Sequence, residues 1–193
     1  NPRAEAYRQM YGYPADWGTA VNVQAMVYGN LGEDCATGVA FTRHPATGER
    51  RLYGEFLVNA QGEDVVAGVR TPQPINDADR APGDPPALES VMPGLHTELL
   101  RAAEALESHF GDMQDIEFTI QQGTLWILQT RAGQRTGRAM VTIAADLVEE
   151  GVIDRAEALR RQDVEQLNEL FFKTFDPQAP REVIALTDDV SNA

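Results

Sequence analysis

Cysteine is nearly absent from this sequence, since Cys35 is the only one among 193 residues. One cysteine excludes an internal disulfide and a cysteine-based zinc cluster, and it is typical of a protein from a reducing compartment. Cys35 lies in the polar stretch GNLGEDCATG, where we interpret it as an incidental thiol rather than a nucleophile. The three histidines, His44, His96 and His109, are scattered without metal-ligand spacing and predict no metal site.

Basic side chains are also few: 16 lysines and arginines accompany 30 aspartates and glutamates, which gives a net charge of −14. This balance argues against non-specific binding to nucleic acid, which depends on clustered cations. A chain this acidic would have to bind a polyanion locally, through a metal ion and a few arginines.

Long apolar runs are missing too. There is no run of about 18 apolar residues and no signal peptide, so we expect no membrane partner and a cytoplasmic protein. The sequence also lacks the GxxxxGK[ST] phosphate loop and the GxGxxG fingerprint. A nucleotide site in this chain would therefore have another design.

The patterns that are present predict both strands and helices. The chain is 42% hydrophobic, which is enough for the core of one domain, or of one domain and a piece. Alternation of apolar and polar residues predicts a half-buried strand over residues 19–29. Two further strands are expected over residues 38–43 and 51–59, separated by the turn-forming HPATGE, so that a meander begins here.

Helical patterns surround this sheet region. A short helix is expected over residues 4–11, and apolar positions spaced by three and four predict an amphipathic helix over residues 95–110. Residues 76–93 contain four prolines without periodicity and are expected to form a mobile surface loop. We therefore predict an α+β fold with a mainly antiparallel sheet in residues 1–135, followed by a helical appendage over residues 136–193.

The stretch DIEFTIQQGTLWILQTR predicts a β-hairpin with polar side chains on one face. If residues 122–124 form a three-residue loop, Glu117 lies opposite Gln129 and Asp115 lies opposite Arg131, because paired residues share a face. A two-residue loop would place the pairs on opposite faces.

Two carboxylates, an amide oxygen and a guanidinium on one face suit Mg²⁺ together with phosphate. Mg²⁺ is commonly bound by one or two carboxylates plus phosphate oxygens, and arginine binds phosphate through two parallel hydrogen bonds. On the residues alone, an ordinary solvated sheet face with a weak Asp115–Arg131 surface pair remains an alternative.

Four blocks in order carry a resemblance to a known family: TAVNVQAMVYGN, GVAFTRHPATGE, GEFLVNAQGEDVVAGVRTPQPI and MQDIEFTIQQGTLWILQTR. Over residues 1–175 the chain resembles the nucleotide-binding domain of the pyruvate, phosphate dikinase family. The shorter patterns VQxMV and LQxR are shared with related enzymes such as phosphoenolpyruvate synthase. The long block around NAQGEDVVAGVRTPQPI favours the dikinase.

The resemblance implies an ATP-grasp fold, in which two α+β subdomains enclose ATP and its Mg²⁺ between antiparallel sheets. Position by position, it implies that Glu117 and Gln129 are ligands of the metal and the phosphates. It also implies that Asp115 is the neighbouring catalytic acid and that Arg131 is the catalytic arginine on the polyphosphate.

The same resemblance implies weaker assignments elsewhere. Gln24 and Met26 correspond to the hinge strand beside adenine, although Met26 is equally consistent with plain core. Thr47 and Gly48 either border the phosphates or a docking partner, or simply form a turn. Glu63 is expected to be a supporting acid or a capping residue.

The activity implied for the parent enzyme is transfer of the β,γ-phosphates of ATP to a histidine on another domain. The overall reaction interconverts ATP, phosphate and pyruvate with AMP, diphosphate and phosphoenolpyruvate. The implied partners are the first ATP-grasp subdomain, a phosphohistidine domain and a pyruvate-binding barrel, in a homodimeric parent. Two alternatives stay open: a phosphoenolpyruvate synthase-type enzyme, which uses water in place of phosphate, and a non-catalytic ATP-grasp binding module.

Some features of the chain fall outside this resemblance. The family often has asparagine at position 44, so no chemistry is assigned to His44. We expect the chain to be a fragment of a longer protein and to have no turnover alone, because the acceptor histidine and the pyruvate site would lie elsewhere. The tail IALTDDVSNA departs from the family pattern.

Overall fold

A five-stranded antiparallel sheet forms the centre of the molecule. The computed structural model describes residues 1–18, 20–67 and 70–171, and the tail IALTDDVSNA lies outside them. The strand order is β3-β2-β1-β4-β5, with every neighbouring pair antiparallel. The strands are β1 (Ala36–Phe41), β2 (Tyr53–Val58), β3 (Gln73–Pro74), β4 (Gln114–Gln121) and β5 (Thr124–Ala132). The expected meander and the mainly antiparallel sheet are confirmed.

Helices flank the sheet on both faces and at one end. They are α1 (Pro2–Met10), α2 (Gly62–Ala67), α3 (Leu88–Val91), α4 (Pro93–Phe110), α5 (Gly137–Glu149), α6 (Arg155–Arg160) and α7 (Val164–Asn168), with 3₁₀ turns at Asp77–Asp79 and Glu169–Phe171. All helices in the described part of the chain are too short or too polar to cross a lipid bilayer.

One face of the sheet forms the main core. Alternate residues of β4, Ile116, Phe118 and Ile120, are fully buried there, against Leu99 and Ala103 of α4. The predicted amphipathic helix is thus confirmed as α4, and its apolar stripe covers this face. Because side chains alternate along a strand, the residues between them in β4 lie on the opposite face of the sheet.

The hairpin between β4 and β5 differs from the expected one in its loop. Gln121 pairs with Thr124, so the loop has two residues, Gln122 and Gly123, and not three. Both have positive φ, 50° and 70°, as a type I′ turn requires, and glycine accepts this conformation without strain.

The predicted cross-strand pairs nevertheless form. Asp115 pairs with Arg131 and Glu117 with Gln129, because the register shifts between Glu117 and Phe118, where Leu128 is an extra residue in β5. The one extra residue of this β-bulge compensates for the loop, which has one residue fewer than expected. These two pairs were therefore predicted correctly from an incorrect loop length, whereas the register between the bulge and the turn was not.

The expected surface loop over residues 76–93 is wrong in part. It contains a 3₁₀ turn and α3, and Ala87 and Leu88 have no exposed surface. Its proline-rich centre is closed by Arg80, which donates hydrogen bonds to the carbonyl oxygens of Asp84 and Pro85. The prolines and the lack of periodicity gave no sign of the short helix α3. Its Leu88 is buried by contacts with the core, which local periodicity does not show.

The strand expected over residues 19–29 is not formed in its described part, residues 20–29. Val21 and Val23 are 79% and 97% exposed. Tyr28 donates its backbone N–H to Oε1 of Gln121 at 2.7 Å, so its partner is a side chain and not the backbone of a neighbouring strand. Alternation predicts an extended chain, but a strand also needs a neighbouring backbone to pair with, and the segment lies beside the sheet without joining it.

Helix α5 packs at the end of the sheet. Its buried residues Ile143 and Leu147 contact Met113 just before β4, with Phe41 of β1 alongside. The turn at residues 44–49 rests on α5 as well, since Pro45 O accepts the backbone N–H of Thr136 at 3.1 Å. The division of the chain near residue 135 stays a prediction.

Candidate functional site

A cavity of about 890 Å³ lies on the sheet face opposite the main core. Its floor is formed by β1, β4 and β5, one wall by α2, and the other wall by residues 24–27. This volume lies in the range of small-molecule sites in proteins. The segment that fails to form a strand therefore contributes to the wall of a cavity.

Asp115 and Arg131 form a close ion pair at one end of this face. Arg131 Nε donates a hydrogen bond to Asp115 Oδ2 at 2.7 Å. The Asp115 side chain is only 8% exposed, whereas that of Arg131 is 57% exposed and lines the cavity. The hydrogen bond and charge of Asp115 raise the pKa of Arg131 above its ordinary value, so the guanidinium stays charged.

Glu117 lies between this ion pair and the middle of the cavity. Its carboxylate Oε1 is 3.7 Å from Arg131 Nη2, and its side chain is 39% exposed. Gln129 lies opposite Glu117 in the strand register but is exposed and does not line the cavity. The structure thus joins Asp115, Glu117 and Arg131 by contacts, and places Gln129 beside them by register alone.

The donors on this face fit Mg²⁺ but cannot enclose it. The carboxylate of Glu117 and the amide oxygen of Gln129 are hard oxygen ligands of the type that Mg²⁺ prefers. The described residues contain no group of three or more His, Cys, Asp or Glu side chains that could hold a metal by themselves. A metal bound here would complete its coordination with phosphate oxygens or water.

Gln24 and Met26 lie on the opposite wall of the same cavity, and Met26 is 66% exposed. Its exposure contradicts the alternative that Met26 belongs to the core. Glu63 of α2 also lines the cavity. These three residues come from two separate segments, which the fold brings to one site.

Thr47 and Gly48 do not line this cavity. Gly48 is buried with φ 84°, and a Cβ placed there would lie 2.7 Å from Thr142 Cβ of α5. The geometry favours the simpler of the expected roles, a turn that packs on α5.

Sequence reasoning missed several residues of the cavity. Thr37 and Thr119 are partners across β1 and β4, and both line it, together with Val39 and Leu128. Thr119 could have been found by continuing the alternation two residues beyond Glu117. Leu128 could not, because its position in the cavity depends on the bulge.

The matching family model and the similar proteins all point to pyruvate, phosphate dikinase. Residues 1–81 and 78–151 match the family model described as pyruvate phosphate dikinase, AMP/ATP-binding domain. The chain is 59% identical over 186 residues to pyruvate, phosphate dikinase of Rhizobium meliloti (strain 1021). It is 55% identical over 179 residues to that of Clostridium symbiosum, and 47% identical over 188 residues to the chloroplastic protein of Flaveria trinervia.

These alignments cover 95%, 93% and 97% of this chain, but only 21%, 19% and 19% of the respective relatives. The chain therefore spans about a fifth of the length of these relatives.

Proposed function

We propose that the cavity of this chain binds ATP with Mg²⁺. The premise is that the chain belongs to the family of the pyruvate phosphate dikinase AMP/ATP-binding domain. The observation that supports this most directly is the joint position of Glu117 and Arg131 on one face of a cavity of about 890 Å³, with Asp115 hydrogen-bonded to Arg131. An anionic ligand on so acidic a chain needs a fixed cation, and Arg131 supplies one.

Each part of the site has a role in this proposal. Glu117 and Gln129 hold the metal, and Arg131 binds the polyphosphate through its guanidinium. Gln24 and Met26 border the adenine, which places the base on the wall opposite the sheet. Mg²⁺, when bound, neutralises phosphate charge. The residues of the chain then hold the polyphosphate in one orientation, which is most of what phosphoryl transfer requires of a protein.

We also propose the role of the site in a longer protein. The fold would be the second half of an ATP-grasp domain, and the β,γ-phosphates of ATP would pass to a histidine on another domain, with AMP as product. In the complete enzyme this would be one half of the interconversion of ATP, phosphate and pyruvate with AMP, diphosphate and phosphoenolpyruvate. The similarity to pyruvate, phosphate dikinases supports the dikinase over the alternatives that the sequence left open.

The experiment measures the ATP half-reaction of the intact enzyme in Glu117→Gln and Arg131→Lys variants. Glu117→Gln is expected to lose about 100-fold or more in rate, because the metal loses its anionic ligand. The rate of the ATP half-reaction should also fall in Arg131→Lys, because the ammonium of lysine cannot form the two parallel hydrogen bonds of a guanidinium. Stability should change by no more than about 0.5 kcal/mol, since both side chains are partly exposed.

Glu55→Gln is the matched control. Glu55 lies on β2 opposite Val39, which places it on the same sheet face, but it does not line the cavity. Its rate should stay within about twofold of the wild type. The half-reaction with pyruvate should survive in all three variants. Full ATP half-reaction rates in Glu117→Gln, or parallel loss of both half-reactions and of thermal stability, would show that this face is an ordinary solvated sheet surface.

A further inference from the structure

Asp115 differs from Glu117 and Arg131, its charged neighbours on this sheet face, in its burial. Its side chain is 8% exposed, and it does not line the cavity, although its strand neighbours Glu117 and Thr119 do. In the sheet it is flanked by Phe41 on β1 and Arg131 on β5. Such a carboxylate is poorly placed to touch a metal or a ligand in the cavity.

The contact between Asp115 and Arg131 is specific in its atoms. Oδ2 of Asp115 accepts the single hydrogen on Nε of Arg131 at 2.7 Å. A guanidinium has five N–H donors, and Nε carries only one of them. The four hydrogens on Nη1 and Nη2 are not used by Asp115.

From this geometry we infer that Asp115 is a positioning residue for Arg131 and not a metal ligand. This inference rests on the proposed function of the site. By holding Nε, Asp115 fixes the side of the guanidinium that faces the sheet, so that the two terminal nitrogens present their hydrogens to the phosphates. An Arg131 that is otherwise 57% exposed would have to lose considerable side-chain freedom on binding, and the buried carboxylate removes part of that freedom beforehand.

A positioning role and a metal-ligand role of Asp115 predict different effects on ATP binding in the absence of metal. If Asp115 orients Arg131, then Asp115→Ala should weaken binding of metal-free ATP, measured by calorimetry in EDTA on the intact protein. The loss should match that of Arg131→Ala within about threefold, and the double variant should lose no more than about twofold beyond the more severe single variant. AMP binding should be unchanged, because AMP lacks the phosphates that Arg131 contacts.

The conservative variant Asp115→Asn adds a rescue. Asparagine has the same shape and keeps an oxygen that can accept the Nε hydrogen, so it should retain most of the preference for ATP over AMP. The control is Asp112→Asn, because Asp112 forms a comparable close pair with Arg135, at 2.6 Å, beside a different cavity. This control should leave the preference for ATP over AMP intact.

One measurement needs no variant at all. The Nε hydrogen of Arg131, followed by NMR, should exchange with water more slowly than that of Arg50, whose side chain is 66% exposed. Equal exchange rates would overturn the assignment even if Asp115→Ala fails to fold.

Other outcomes also decide the matter. Loss of ATP binding in Asp115→Ala only when Mg²⁺ is present would make Asp115 a metal ligand and overturn the inference alone. Equal loss of ATP and AMP binding would make its role merely structural. Wild-type protein that binds ATP no better than AMP would overturn the proposed function, and this inference with it.

Discussion

Arg43 has no exposed surface, and it joins three segments that are distant in sequence. Its guanidinium donates hydrogen bonds to Glu107 of α4, to Glu150 at the end of α5 and, at 3.4 Å, to Asp146 of α5. Burial alone would lower the pKa of Arg43, but the hydrogen bonds that it donates to Glu107 and Glu150 outweigh burial and raise that pKa. Arg43 therefore fixes both helices to the end of β1.

Replacing Arg43 by leucine should lower the free energy of unfolding by about 3 kcal/mol or more, because carboxylates that are partly buried lose their cation. Urea unfolding of the chain measures this value. Arg50→Leu is the matched control, since Arg50 also reaches Glu150, at 3.5 Å, but is 66% exposed. Its effect should stay within about 0.5 kcal/mol. Equal effects of the two substitutions would contradict a structural role for Arg43.

At the scale of single residues, the sequence predicted the exposed polar site better than the buried polar contacts. Asp115 and Glu117 follow a period of two on β4, so their common face is a local property, whereas the position of Arg131 beside them depends on the bulge at Leu128. The partners of Arg43 come 64 and 107 residues later in the chain. No local pattern distinguishes it from a solvated arginine.

The turn at residues 44–49 shows how one side chain can determine the shape of an element. His44 Nδ1 accepts the backbone N–H groups of Ala46 and Thr47 at 3.1 and 3.3 Å. The ring also packs against Tyr53, with 4.2 Å between centroids. Two donors at Nδ1 require that the neutral ring carries its hydrogen on Nε2. His44, to which the sequence assigned no chemistry, thus has a structural role.

Removing this acceptor should weaken the turn. His44→Ala is expected to lose about 1 to 2 kcal/mol of stability, because the N–H groups of Ala46 and Thr47 lose their acceptor. His44→Asn should recover most of the loss, since the oxygen of asparagine can accept a hydrogen bond from a backbone N–H two residues later. Thermal unfolding measures both.

The control for this experiment is His109→Ala, because His109 is exposed at the end of α4 and, among the described ring contacts, makes only an edge-to-face contact with Phe110. It should change stability by less than about 0.5 kcal/mol. If His44→Asn is as unstable as His44→Ala, the hydrogen bonds to Nδ1 do not hold the turn.

At the scale of elements, the sequence predicted those with their own strong period. α4 and the strands β1, β2 and β4 lie where alternation or helical spacing placed them. Residues 20–28 have the same quality of alternation and form no strand, because pairing depends on a neighbour that the pattern does not specify. The bulge at Leu128 was missed for a related reason: an extra residue inside an apolar run leaves no local mark.

The molecule as a whole presents its cavity in an open form. Arg131 is more than half exposed, Gln129 lies outside the cavity, and one wall is the irregular segment of residues 24–27. Water therefore reaches the charged groups of the site and screens them, which weakens every charge contact with a ligand.

This openness predicts weak binding by the chain alone. We expect MgATP to bind the chain of 193 residues with a dissociation constant no better than roughly 1 mM, measured by calorimetry. The intact enzyme should bind it more tightly if further protein closes the site. Micromolar affinity of the chain alone would show that the described walls already suffice.

The bulge at Leu128 also affects the outer boundary of the sheet. Of the described strands, β5 has a neighbour on one side only, and it exposes Trp126, Ile127 and Leu128. A straight apolar edge of this kind would be a template for strand pairing between separate molecules, and hence for aggregation. The extra residue bends the backbone at the end of that apolar run and interrupts its regular row of N–H and C=O groups. The same distortion that sets the register of Gln129 and Arg131 is thus expected to disfavour strand pairing between molecules at this edge.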